Sequence, residues 1–110
     1  MITATNISTT NQTDVFIAGE ESAITTLIIC NHDAVTDATI NVWVVPGTGN
    51  PRLPGTTAVQ HQILKDLRIV ASDTFVMDME KLVLDLQDKI VVQASIGNAV
   101  NVVVSSMAIE

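Results

Sequence analysis

Cys30-Asn31-His32-Asp33 sets a thiol, an imidazole and a carboxylate within four positions, the groups on which a nucleophilic site or a metal centre draws. On a strand, alternate residues share a face. Cys30 and His32 would therefore act together only if the strand ran on through Asn31, where turn-forming Asn and Asp begin. A zinc centre needs three or four ligands. The chain has one cysteine and two histidines, His32 and a distant His61. The expectation is a small buried thiol on a strand and, at its end, a histidine that is solvated or bonded to a turn carbonyl. Asp73, Asp78, Glu80, Asp85 and Asp88 raise calcium as a second possibility, but their spacing departs from the Asp-x-Asn/Asp-x-Asn/Asp-Gly loop. Carboxylates at turns between strands, where they keep sheet edges soluble, are the simpler reading. The sequence has neither a glycine-rich phosphate loop nor a Gly-x-Ser-x-Gly elbow. No catalytic residue, metal ligand or cofactor site is assigned, and the chain is not expected to be an enzyme.

Composition narrows the partners. Twelve acids against five bases give a net charge of −7. Arg52, Lys65, Arg68, Lys81 and Lys89 are scattered, whereas nucleic-acid binding requires basic groups gathered on one face. Neither nucleic acid nor membrane is expected as a partner, since no apolar run approaches the roughly 20 residues of a bilayer span. The opening MITATNISTTNQT has no basic stretch and no apolar signal core, so its sequons at Asn6 and Asn11 carry little weight. Phe16, Trp43 and Phe75 are the only aromatics, a poor supply for stacking on sugars. Trp43 reads as core or interface before it reads as a sugar platform.

The elements that must position these groups are strands. KLVLDLQDKIVVQAS, residues 81–95, repeats both every four residues and every two. As a helix it would carry the branched triple Ile90-Val91-Val92, which loses rotamer freedom there. As strands it needs only a short turn at residues 86–89. ATINVWVVP alternates Ile40, Val42 and Val44 against Asn41, Trp43 and Val45. SAITTLIICN opposes Ile24, Thr26, Ile28 and Cys30 to Thr25, Leu27 and Ile29. AVNVVVSSMAIE opposes Val100, Val102, Val104 and Ser106 to Asn101, Val103, Ser105 and Met107. QHQILKDLRI is ambiguous, because Ile63, Leu64 and Leu67 suit a helical turn equally well.

Breakers at 18–21, 31–38 and 96–98 separate these runs. About eight strands follow, near 2–8, 13–18, 22–30, 38–45, 60–69, 73–78, 82–86 with 89–95, and 99–109. The reading is all-β: an antiparallel β-sandwich of jelly-roll type. Residues 13–110 form one domain, with residues 1–12 as a first strand or an arm that pairs with a neighbour. PGTGNPRLPGTTA, residues 46–58, holds all three prolines and reads as one long exposed loop. Deleting 48–56 is expected to leave the domain folded.

Six short pieces carry a resemblance. Cys30-Asn31 ends one strand and Val44-Val45-Pro46 ends the next, with a variable loop after it. Ile63-Leu64-Lys65-Asp66, Ala71-Ser72-Asp73-Thr74-Phe75, Leu82-Val83-Leu84 and Gln87-Asp88-Lys89-Ile90 follow in order. Over most of residues 13–110 the chain resembles the small all-β accessory proteins of tailed-bacteriophage virions. Ser72 and Gln87 depart from that pattern, which usually has glycine at these turns.

The resemblance implies a non-enzymatic structural protein, made in the host cytoplasm and carried on the virion. Its expected role is that of a capsid decoration or cement protein bound to the major capsid protein or other virion proteins. A homo-oligomer is expected, with a trimer suiting three-fold axes of a capsid lattice. A tail, baseplate or fibre component is the alternative, and a host-glycan-binding module a further one. The candidate interface residues are Trp43, Pro46, Asn50, Arg52, Leu53 and Pro54.

Overall fold

The computed structural model describes residues 1–109, apart from the side chains of 79–81. It contains β1 (Ile2–Ile7), β2 (Thr13–Ile17), β3 (Ser22–Asn31), β4 (Ala38–Val45), β5 (Gln62–Ile69), β6 (Thr74–Leu84), β7 (Lys89–Ala94) and β8 (Val100–Ala108). A 3-10 turn at Val59–His61 precedes β5, and the described residues include no α-helix. Two four-stranded sheets form, β1-β8-β3-β6 (sheet A) and β2-β7-β4-β5 (sheet B). All pairings are antiparallel. β1 pairs with β8, β2 with β7, β3 with β6 and β4 with β5, so the chain is one long hairpin wrapped on itself. This is the strand order of a jelly roll.

The two-residue period of 81–95 is the one realised. Residues 82–84 belong to β6, however, and not to a separate strand beginning near 82. β3 is ten residues long, so β6 can continue beside it for eleven, and the expected break between 78 and 82 does not occur. Residues 2–7 pair along β8 of the same chain.

The core lies between the sheets and takes a residue from every strand, among them Ile7, Val15, Leu27, Ile40, Ile69, Leu84, Ile90 and Val102. Burying a Val, Leu or Ile side chain is worth roughly 1.5–3 kcal/mol, so this layer dominates stability. The simple alternation expected for β3 fails at its middle. Ile24 faces inward, but so do Leu27 and Ile29. Thr25 is an extra residue against β8, where Ile24 pairs with Ser106 and Thr26 with Ser105. Such a bulge exchanges the two faces of everything beyond it.

A second bulge explains the ambiguous QHQILKDLRI. Ile40 pairs with Leu67 and Val42 with Leu64, so β5 carries one more residue than β4 over the same span. Asp66 takes φ 52, and its N–H donates to Asn41 Oδ1 at 3.0 Å. The three-residue spacing of Leu64 and Leu67 is a bulged strand that imitates a helical turn.

The turns lacking glycine keep the geometry glycine usually provides. Ser72 has φ 64 and Gln87 φ 68. Each is the third residue of a turn closed by a hydrogen bond, Asp73 N–H to Val70 O and Asp88 N–H to Asp85 O, both 3.0 Å. Type II turns require this conformation at that place.

Candidate docking site

The 46–58 loop begins where Pro46 ends β4, and it is fastened to the turn between β6 and β7. Gly47 N–H donates to Asp88 Oδ1 at 2.7 Å. Thr48 and Leu53 exchange backbone hydrogen bonds of 2.8 Å, which close the tip at residues 49–52. Arg52 then reaches back, its Nη2 to Asp88 Oδ1 at 2.7 Å and its Nε to Leu86 O at 2.6 Å. Asp85 N–H completes the carboxylate's set at 2.9 Å. Partial burial raises the pKa of Asp88, but the Gly47 N–H, the Arg52 guanidinium and the Asp85 N–H outweigh it and hold the group below 3.8. Gly47 fits because a Cβ there would lie 2.9 Å from Arg52 Nε.

Beyond the tip the loop folds down onto sheet B. A Cβ at Gly55 would stand 2.5 Å from the Pro46 carbonyl and 3.3 Å from Val45 Cγ1, so only glycine allows the segment to lie this close. Thr57 Oγ1 donates to Gln12 Oε1 at 2.8 Å, next to β2 on the opposite edge of the sheet. His61 closes the descent, its Nδ1 accepting the Ala58 N–H at 3.2 Å. Under this roof Trp43 pairs across the ladder with Val91. Trp43, Val45 and Val91 form a second small core on the outer face of sheet B.

These positions divide the candidate interface residues. Trp43 is only 9% exposed; its own loop covers it, which closes it as a sugar platform or docking residue. Arg52 is half-buried as the fastener. Pro46, Asn50, Leu53 and Pro54 are exposed, and Leu53 is 58% accessible. The loop is therefore no free appendage, and removing 48–56 would take away Gly55, which lies against Val45 and the Pro46 carbonyl.

Around Cys30 and His32, the neighbouring amide and carboxylate make structural hydrogen bonds. β3 does run through Asn31, whose side chain is fully buried. Asn31 Nδ2 donates to Thr36 O at 2.9 Å and Ile69 O at 3.0 Å, and its Oδ1 accepts the Asp33 N–H at 3.1 Å. It ties the β3–β4 loop to the end of β5. Asp33 Oδ1 accepts the Val35 and Thr36 N–H groups at 2.8 Å each, which lowers its pKa. Asp37 is paired with Arg68 and accepts the Ala71 N–H, again lowering the carboxyl's pKa. His32 is exposed. Asp73, Asp85 and Asp88 bond turn N–H groups, and the Glu80 side chain lies outside the described residues. Among the described residues no three His, Cys, Asp or Glu side chains gather as a metal site. No described helix is long and apolar enough to cross a membrane.

A second surface was missed in the sequence. On the outer face of sheet A, Ala4, Val103, Ile28 and Val76 line up across all four strands. Met107, Ala23 and Val83 form a parallel row nearby. Val76, Val83 and Met107 are 50% exposed or more. The signal was present in Val102-Val103-Val104 and Leu27-Ile28-Ile29, since a continuous apolar run marks a strand with two apolar faces. Comparison with protein-family models, with curated proteins and with solved structures gave no match for this chain.

Proposed function

We propose that this chain is a non-enzymatic structural protein of a tailed-phage virion, a decoration or cement protein that binds the major capsid protein and stabilises the shell. The observation that supports this reading best is the fastened 46–58 loop. It presents Pro46, Asn50, Leu53 and Pro54 on a tip already fixed by Arg52, Asp88 and the Thr48–Leu53 bridge. A contact surface that is ordered before binding avoids the cost of ordering side chains and loop on association. Leu53 supplies an exposed apolar anchor, and the neighbouring prolines lose little entropy when covered. The jelly roll behind the tip transmits load between the shell subunits that it bridges.

Purified particles lacking this protein provide the test. Leu53→Asp should lower occupancy on the shell at least tenfold while the melting temperature of the free protein stays unchanged. Unchanged occupancy would remove the tip from the binding surface. Labelled antibody on intact particles locates the chain, and label on the tail would replace the shell with the tail as its site.

A further inference from the structure

We propose that the outer face of sheet A is a self-association surface, on which a second copy of this chain packs face to face about a two-fold axis. The argument starts from a contrast within one molecule. Apolar runs in β4 and β7, Val42-Trp43-Val44-Val45 and Ile90-Val91-Val92, belong to strands buried on both sides, because the 46–58 loop roofs them. β3 and β8 carry the same kind of run. Their outward residues Ile28 and Val103 have no such roof, and their row continues through Val76, 60% exposed, on β6.

Charge selects the occupant. The chain has a net charge of −7, which opposes the approach of two copies wherever the acids are gathered. On the outer face of sheet A, Asp78 is the one charged side chain in the ladder rows among the described residues. A basic partner would gain almost nothing there. A face of mostly small and β-branched side chains, with Asp78 on its β6 edge as the one charge in the described rows, can meet its own copy, as a two-fold interface demands. Four strands about 4.8 Å apart and roughly eight residues long offer about 500 Å² per copy, hence about 1,000 Å² per pair, the lower bound for a specific interface. Two such sheets would stack about 10 Å apart, repeating the packing inside each sandwich. A trimer would need a heterologous contact, which this self-complementary face does not provide. The pairing does not rest on the virion reading, because it leaves the loop tip free.

Sedimentation velocity on the full chain over a concentration series tests this directly. The wild type should reach twice the 11.7 kDa monomer mass. Val103→Arg and, separately, Val76→Arg should raise the dimer dissociation constant about 30-fold or more, as expected for a central hot spot. Both variants should keep the strand signal in circular dichroism, because these side chains stand outside the core. A wild type that stays monomeric throughout, a species of three chains, or a dimer indifferent to both substitutions would overturn the proposal. Shell occupancy of Val103→Arg separates the two readings: loss of pairing with retained binding leaves the loop tip intact as the docking site.

Discussion

The two sheets of this jelly roll each carry an apolar cluster on the outer face, but in opposite surroundings. Trp43, Val45 and Val91 on sheet B lie beneath a loop of their own chain. Ile28, Val103 and Val76 on sheet A have no comparable cover, and Val76 is 60% exposed. Hydrophobic residues in a strand therefore do not by themselves state which side is the core. A strand has two sides, and a roof from elsewhere in the chain turns the second into interior.

The sharpest way to break this comparison is to truncate one residue on each face. Trp43→Ala should destabilise the protein by about 3–5 kcal/mol, because it empties a covered site. Val76→Ala should cost less than about 0.5 kcal/mol in the monomeric chain, because solvent already reaches it. Urea unfolding of both variants measures the difference, and equal costs would mean that the roof excludes no water.

A smaller effect concerns the fastening of the roof. Asp88 has its pKa lowered below 3.8 in the folded protein. Its contribution is therefore fully present above the unfolded value and is lost as pH falls through the lower folded value. Asp33 and Asp37 act in the same direction. Thermal stability should fall as pH drops below about 4. Asp88→Asn should flatten part of that decline and cost about 1 kcal/mol at neutral pH. Trp43 is the only tryptophan, so its emission reports the roof alone. It should shift to longer wavelength in this variant before the strands unfold.

The smallest effect has the opposite sign. Ser72 and Gln87 hold left-handed backbone that costs a non-glycine residue roughly 1–2 kcal/mol, partly offset by the greater freedom glycine has when unfolded. Ser72→Gly and Gln87→Gly should each stabilise the protein by about 0.5–1 kcal/mol in the same urea experiment. Of the two, Gln87→Gly also bears on the roof, since Gln87 sits in the turn that Arg52 grips.

Much of the architecture was legible in residue order. The alternation in β8, with Val100, Val102 and Val104 inward, is found as read. Turn residues marked most strand ends, because Gly, Asn and Asp satisfy backbone groups that a ladder leaves unpaired. The face assignment of β3 was lost at Thr25, and the Leu64–Leu67 spacing misled at Asp66. A bulge inserts one residue without any composition of its own, so periodicity alone does not locate it. At the candidate site, the exposed loop tip was legible from its prolines and glycines. Trp43 reads as core or interface from its place in mid-strand, and it is buried. What covers it was not legible, because the cover depends on Gly55 meeting the Pro46 carbonyl and on Thr57 reaching Gln12, contacts far apart along the chain.

What the residue order determined by itself is the material: branched apolar side chains at two-residue spacing, broken by turn formers, which can do little other than form sheets. Tertiary structure alone decided which apolar side faces the other sheet, which lies under the loop and which meets solvent. The reason is that local spacing fixes the direction of a side chain relative to its neighbours, whereas burial is set by whatever distant segment comes to rest against it.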